Sequence, residues 1–357
     1  MIVSSIFEKC QSDRLSDGQD VRVLVTGRGG RQVISELQPV SGSFERLIDN
    51  TSKSSVQVQS FGSSCCKELS SLRTMDNELV WIRDGCIAWR GPLTFIRFLP
   101  NGIVELEAMD LTYWWAVRRI GSQSHVGVDA SFVVRDYHEA AMEPDPIENF
   151  NLSLQVANQK VNLTVTRSDH RYAFDAINSL ADYAVDYTAY GDQVLVGGAD
   201  LFPVFPIELN DDHWTTPPPI EMRGPAQRFS TRVVAIGTNG LEIEVDADRD
   251  IQDFYGIIER VEEFQGISNI EDLEKAARSF LDIYSQPYYL NSQSEAILRF
   301  NSPISFKALI PGVRVNLVSQ ATCKPIRGQF RIAKVTHNLN GTVGVLFEPV
   351  GTTESDV

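Results

Sequence analysis

The sequence predicts an α+β chain, mostly β, built from two small antiparallel β-barrel domains with α/β domains inserted. Three observations lead there. Glu78–Asp110 reads as four strands joined by tight turns, a meander suited to closing as a small barrel. The stretch from Leu309 to Phe347 echoes that layout of strands and an Asn-Gly turn, although the residues of the two stretches do not align closely. Between them lie two longer helical patterns, Phe174–Ala184 and Ile270–Tyr284.

Residues 1–20 carry little pattern. Val21–Thr26 alternates as a strand, Gly27-Arg28-Gly29-Gly30 turns, and Gln32–Leu37 returns. Ser54–Ser60 is another alternating strand, and Cys65, Leu69 and Leu72 share one face of a short helix. In the meander, Asp84-Gly85 is a two-residue hairpin turn that needs positive φ. A tight turn there pairs Arg83 with Cys86, Ile82 with Ile87, Trp81 with Ala88 and Val80 with Trp89. Val80, Ile82, Ile87 and Trp89 then form one apolar face. Gly91-Pro92 interrupts the ladder, and Asn101-Gly102 turns the third strand into the fourth. These elements make a first barrel domain, 1–120.

An α/β domain follows at 121–199. It holds a short apolar run at Phe132–Val134, a loop at Pro144 and Pro146, and strands at Leu152–Val156 and Val161–Val165. Ser168-Asp169 offers an N-cap to a helix bearing Phe174, Ile177, Leu180, Ala181 and Ala184, and a hairpin turns at Gly191-Asp192. Residues 200–250 read as an extended Pro-rich connector along the surface and the start of the second barrel, with a hairpin from Arg232 to Val245. Residues 251–296 form a helical segment, opened by the capping box Ser268–Glu271 and closed by Pro287. Residues 297–350 complete the second barrel, where Pro311-Gly312 leads into Val313–Val318, and 351–357 form a tail.

Composition bounds the function. A chain of 357 residues with a net charge of -15 holds two or three domains and is poorly suited to gripping nucleic acid phosphates. The 5 cysteines include no CxxC, which argues against a disulfide framework and a zinc site. Glu8 and Lys9 follow the short apolar start, so no signal peptide is expected, and no apolar run is long enough for a membrane span.

Candidate chemistry is sparse. His138-Glu139-Ala140-Ala141-Met142 opens like a zinc-protease helix, but Met142 stands where the second ligand belongs. Asp246, Asp248 and Asp250 open like a calcium loop, but Ile251 and Ile257 occupy its glycine and glutamate positions. Asp169-His170 lacks a nucleophile turn, and Gly27–Arg31 lacks the ending of a phosphate loop. Trp114, Trp115, Trp214 and the aromatics of Phe202–Phe205 could stack on sugars, or they could pack a core. No catalytic, cofactor or metal residue is assigned. The singled-out positions are structural: Val80, Ile82, Ile87, Trp89, Gly91, Pro311 and Gly312.

The chain resembles the tail-hub proteins, or minor tail proteins, of long-tailed bacteriophages, which share a fold with the baseplate hub of contractile tails. The resemblance rests on Leu69–Arg73, Glu78–Gly85, Trp89–Leu93 and Ala108–Asp110. In the second half it rests on Asp253–Glu259, Ala276-Ala277, Pro287, Asn301–Ile304 and Leu309–Val315. It spans residues 20–350 and is most similar to versions from phages of actinobacterial hosts. The resemblance implies a non-enzymatic homotrimeric ring at the distal end of the virion tail, assembled in the host cytoplasm. Its implied partners are the distal tail or tail-tube protein, the tape-measure protein, and other minor tail proteins or fibres. DNA would pass through without specific binding. No hydrolase or receptor-binding extension follows Val357, so those activities are expected on separate proteins. A carbohydrate-binding adsorption protein is the alternative, and a hydrolase a more remote one.

Overall fold

The computed structural model describes residues 21–349, apart from 61, 84, 167–170, 181–184, 199–203, 223, 225, 227, 265–266, 268, 287, 291–293, 300–301, 303–308 and 321–325. The first elements are β1 (Val21–Gly27), β2 (Val33–Leu37), β3 (Pro39–Leu47), β4 (Lys53–Gln59), α1 (Gly62–Ser70), β5 (Asn77–Arg83), β6 (Cys86–Phe98) and β7 (Ile103–Met109). β7 shows how period-two patterning acts: Val104, Leu106 and Ala108 are buried, while Glu105 and Glu107 are half-buried. β5 lies between β1 and β6 and is buried along its whole length.

The β5–β6 hairpin corrects the expected register. Arg83 pairs with Cys86 and Ile82 with Ile87, but Trp81 then pairs with Trp89, Val80 with Arg90 and Leu79 with Gly91. A bulge leaves Ala88 without a partner and shifts the alternation by one residue. Trp89 therefore joins Trp81 in the main core, while Val80, Ile82 and Ile87 pack with Leu24 on the opposite face. The turn chemistry was legible; the bulge, which depends on what each face must bury, was not.

The α/β unit comprises α2 (Tyr113–Ala116), β8 (Gln123–Asp129), α3 (Ala130–Met142), β9 (Asn151–Leu154), β10 (Lys160–Val165), α4 (Ala173–Asn178), β11 (Val185–Tyr190) and β12 (Gln193–Gly198). β9 extends the β11–β12 hairpin in parallel, and β8 pairs with β10. The apolar run at Phe132–Val134 belongs to the 13-residue α3, capped by the Asp129 carboxylate accepting from the Ser131 amide at 3.0 Å. Ala130, Val133, Val134, Tyr137 and Ala141 form its buried stripe. The Ser168-Asp169 cap and residues Ala181 and Ala184 of the expected helix lie outside the described residues; α4 covers Ala173–Asn178.

The remaining elements are β13 (Val204–Leu209), β14 (Trp214–Thr216), β15 (Ile220–Met222), β16 (Arg232–Ile236), β17 (Glu242–Asp246), α5 (Arg249–Tyr255), β18 (Glu259–Glu263), α6 (Ile270–Tyr284), β19 (Tyr288–Leu290), β20 (Ala296–Leu298), β21 (Arg314–Ser319), β22 (Ile326–Asn338) and β23 (Val343–Pro349). The stretch read as a surface connector supplies strands instead: β13 pairs with β21, β14 with β20 and β15 with β19. α6 is capped by Asn269, whose side chain accepts from the Glu271 amide at 2.9 Å; Ser268 and Pro287 lie outside the described residues. Its buried stripe, Leu273, Ala277 and Leu281, packs on Val233, Ala235 and Val245 of the three-stranded sheet β17–β16–β18.

The two-barrel expectation gives way to one continuous sheet of 13 strands, and no sheet among the described residues closes on itself. β22 is the reason. Its first half pairs with β21, and its second half, Lys334–Asn338, pairs with Leu47–Ser43 of β3. The N- and C-terminal strands thus share one hydrogen-bonded ladder and one core, from Val23 to Phe347. Cys86 is disulfide-bonded, a linkage that residue spacing did not reveal.

Candidate functional site

The residues considered for chemistry are engaged in packing. The Trp115 indole donates to His138 Nδ1 at 3.0 Å. Burial, and then the nearby Arg118 guanidinium, pushes the His138 pKa down to about 4. Glu139 is exposed and lies 3.8 Å from Arg135. Asp246 accepts from Arg232 at 2.6 Å and from Gln252 at 2.8 Å, and Asp248 stands at the start of α5. Among the described residues no group of three His, Cys, Asp or Glu side chains is placed to hold a metal. Asp169, His170 and the Phe202–Phe205 side chains lie outside the described residues. Trp114, Trp115 and Trp214 are buried at 4%, 0% and 2% exposure, so these rings cannot stack on a sugar as the carbohydrate reading required.

The Gly27–Arg31 turn has a structural task. It docks the loop at 145–149 of the α/β unit against the main sheet. Arg28 is ion-paired with Asp145, and Arg31 with Glu148 at 2.6 Å. Arg28 and Arg118 each lie 5.0 Å from the Trp114 ring centre. Gly29 takes φ 76°, and a Cβ there would come within 3.0 Å of the Glu148 Cβ. Beneath the turn, Arg90 Nε donates to Glu78 Oε2 at 2.6 Å, while its two terminal nitrogens reach the Asn149 and Glu148 carbonyls at 3.0 and 3.2 Å. Glu78 Oε1 accepts from the Gly29 amide at 3.0 Å.

A second polar seam joins the same two bodies. Ile48 bridges to Thr188, and the Thr188 hydroxyl donates to the Leu47 carbonyl at 2.8 Å. The Asp49 amide donates to the Tyr187 carbonyl at 2.9 Å, and the Tyr187 amide donates back to Asp49 Oδ1 at 2.8 Å. Arg331 Nη1 donates to Asp186 Oδ2 at 2.6 Å, and its Nε is ion-paired with Glu348. These residues come from four separate strands and turns and carry no local motif. Sequence reading had no signal by which to find them.

Of the singled-out structural residues, Gly91, Pro311 and Gly312 fall at two junctions. Gly91 sits where β6 leaves β5 for β7, and a Cβ there would lie 1.7 Å from the Met109 carbonyl oxygen. Pro311 and Gly312 are buried ahead of β21, and the Gly312 amide donates to the Ile332 carbonyl at 2.7 Å. Among the exposed apolar side chains of the described residues, three groups stand out. Val33 and Ile34 lie on β2, the last strand of the main sheet. Phe95 and Phe98 lie on β6. Phe254, Ile257 and Val261, on and between α5 and β18, are 79%, 61% and 58% exposed. No helix among the described residues is long and apolar enough to cross a membrane.

No protein-family model and no curated protein matches the chain. Solved structures do. The tail protein from Neisseria meningitidis MC58 is similar with a TM-score of 0.65 and 14% identity, over 92% of this chain and 96% of that one. The 43 kDa tail protein of prophage MuSo2 from Shewanella oneidensis is similar with a TM-score of 0.65 and 8% identity, over 93% and 99%. The prophage tail protein gp18 from Listeria monocytogenes EGD-e is similar with a TM-score of 0.60 and 8% identity, over 93% and 95%. What this chain shares with these proteins is the fold, along nearly its whole length.

Proposed function

We propose that this chain is a structural, non-enzymatic component of a bacteriophage tail. In finer terms we propose the tail-tip hub: a homotrimeric ring that joins the tail tube to the tip and lets DNA pass. The observation that carries the reading is the fold shared with the Neisseria tail protein over 92% of this chain and 96% of the other. The residue resemblance to hub proteins, including Glu78–Gly85 and Leu309–Val315, supports the hub role and an actinobacterial host. Proposed partners are further copies of itself, the tail-tube or distal tail protein, the tape-measure protein and other tip proteins.

A closed ring needs two complementary faces meeting head to tail. The edge of β2, the last strand of the main sheet among the described residues, with Val33 and Ile34, and the surface of Phe254, Ile257 and Val261, are the faces offered for this. The net charge of -15 suits a wall past which DNA slides, because a basic lining would bind the duplex through counterion release. The proposal therefore has acids outnumbering unpaired bases on the lumen wall. Native mass measurement and negative-stain imaging of the purified protein test it. A three-fold ring with a quasi-six-fold outline is expected. A protein that stays monomeric at micromolar concentration and in the presence of its tail neighbours overturns the ring.

A further inference from the structure

α6 covers one face of the three-stranded sheet β17–β16–β18, resting on Val233, Ala235 and Val245. The cross-strand pairs fix what the other face carries, because residues paired across a sheet point to the same side. Arg232 stands between Asp246 and Glu259, Val234 between Glu244 and Val261, and Ile236 between Glu242 and Glu263. All six of these side chains on the two outer strands are exposed. The face therefore holds five carboxylates against one guanidinium, and that guanidinium is already engaged: Arg232 Nε donates to Asp246 Oδ1 at 2.6 Å. Glu242 and Glu263, which flank Ile236, form no ion pair among the described residues. Acids alone would serve solubility. The apolar side chains beside them do not: Val261 is 58% exposed, and Ile257 and Phe254 continue the surface at 61% and 79%.

A surface of the opposite sign lies on the α/β unit. Residues 111–128 include two arginines and no acid. The first, Arg118, is paired with Asp145, as is Arg28 of the turn that opens β2. The second, Arg119, is exposed, bridges to Tyr172 across the chain and lies 5.6 Å from its ring centre. Arg171 is exposed beside it, and its carbonyl accepts from the Ile120 amide at 3.2 Å. No carboxylate among the described residues pairs with Arg119 or Arg171. Val117 and Tyr172 are 42% and 38% exposed, so these arginines stand among apolar side chains as the carboxylates of the sheet do.

We propose that the two surfaces meet between neighbouring copies: the β17–β16–β18 face of one subunit receives the Arg119 and Arg171 surface of the next. The inference rests on the ring reading above and names its contact. A second copy is the occupant because one chain carries both signs on separate elements. A head-to-tail contact then leaves every copy with one surface of each kind still to offer, as repetition and closure require. The basic surface adjoins the β2 side of the molecule, since Arg28 of the turn before β2 and Arg118 both lie 5.0 Å from the Trp114 ring centre. Opposite charges fix the register and reject wrong pairings, while Val261, Ile257 and Phe254 supply apolar area for Val117 and Tyr172.

Charge reversal tests the contact, because the positions changed are exposed and substitutions there leave the fold intact. Glu242→Lys with Glu263→Lys should weaken self-association by about tenfold or more, and Arg119→Glu with Arg171→Glu should do the same. The variant carrying all four changes has the parent's net charge and should regain most of the lost association. Sedimentation velocity across concentration reads all three, with melting temperature as the check on folding. Reversed pairs that assemble as the parent does, or a combined variant no better than either pair, overturn this contact and leave the ring standing. A parent that does not self-associate overturns both. Where a variant does not fold, the parent still decides: added salt should weaken its association by screening the opposed charges, and association unchanged by salt overturns the charge pairing.

Discussion

Glu78 and Arg90 form an ion pair of 2.6 Å across the bulged β5–β6 hairpin, and each side chain is 1% exposed. Arg90 also holds two carbonyls of the α/β unit, so one guanidinium fixes a hairpin and a domain contact together. Removing one member of a buried pair strands the other charge, at a cost of about 3–5 kcal/mol. Arg90→Met is expected to lose that much in urea unfolding. The double variant Glu78→Leu with Arg90→Met should recover part of the loss, because no lone carboxylate is left buried. Equal losses in the single and double variants would contradict the pairing.

Trp89 stands opposite Trp81 in the main core, and its indole donates to the Ser52 hydroxyl at 3.1 Å. Trp89→Ala is expected to cost about 3–5 kcal/mol, measured by thermal or chemical unfolding. Ile87→Val, in the small cluster on the other face, should cost only about 1 kcal/mol. A Trp89→Ala variant as stable as the parent would place Trp89 outside the core and contradict the bulged register.

Gly91→Ala should be severe, because a Cβ there meets the Met109 backbone at 1.7 Å and no side chain can swing aside to admit it. A loss of about 3 kcal/mol or more is expected, with the β6–β7 ladder disturbed. Gly121→Ala, with nothing within 4 Å of its Cβ, is the control and should stay within about 0.5 kcal/mol of the parent.

Burial disfavours the charged form of His138. Its folded pKa of about 4 lies below the ordinary 6.5, so its contribution to stability is present above pH 6.5 and is lost as pH falls towards 4. Gln can also accept from the Trp115 indole but takes no proton. His138→Gln should therefore be less sensitive than the parent to acidification between pH 6.5 and 4, as followed by melting temperature.

Phe254 is 79% exposed, so Phe254→Ser should leave the unfolding free energy within about 0.5 kcal/mol. Under the ring proposal it should weaken self-association, read by sedimentation across concentration. Unchanged association would remove this surface from the proposed contact.

Much of the chain was legible locally. Strands such as Ile103–Met109 follow from alternation, and the turn at Asn101-Gly102 follows from the need for positive φ, observed at 76° for Gly102. α6 follows from Leu273, Ala277 and Leu281 at helical spacing. α3 carried the same kind of stripe, but its apolar positions are interrupted by Arg135, Asp136, His138 and Glu139, and the reading stopped at Phe132–Val134.

Period, turn and cap chemistry act over a few residues, so the sequence by itself determined most element types and the mostly-β character. It could not determine partners. β22 reaches back to β3 across the chain, merging two expected barrels into one sheet, because pairing depends on which edges tertiary packing brings together. The bulge at Ala88 was set by the competing demands of two buried faces. The Asp49–Asp186 seam lies furthest from sequence reading: its residues are 137 positions apart, and they come together only where the turn after β3 packs on β11 beside Arg331. A charge acquires its meaning from the water it loses and the neighbours it gains, and only the tertiary structure decides both.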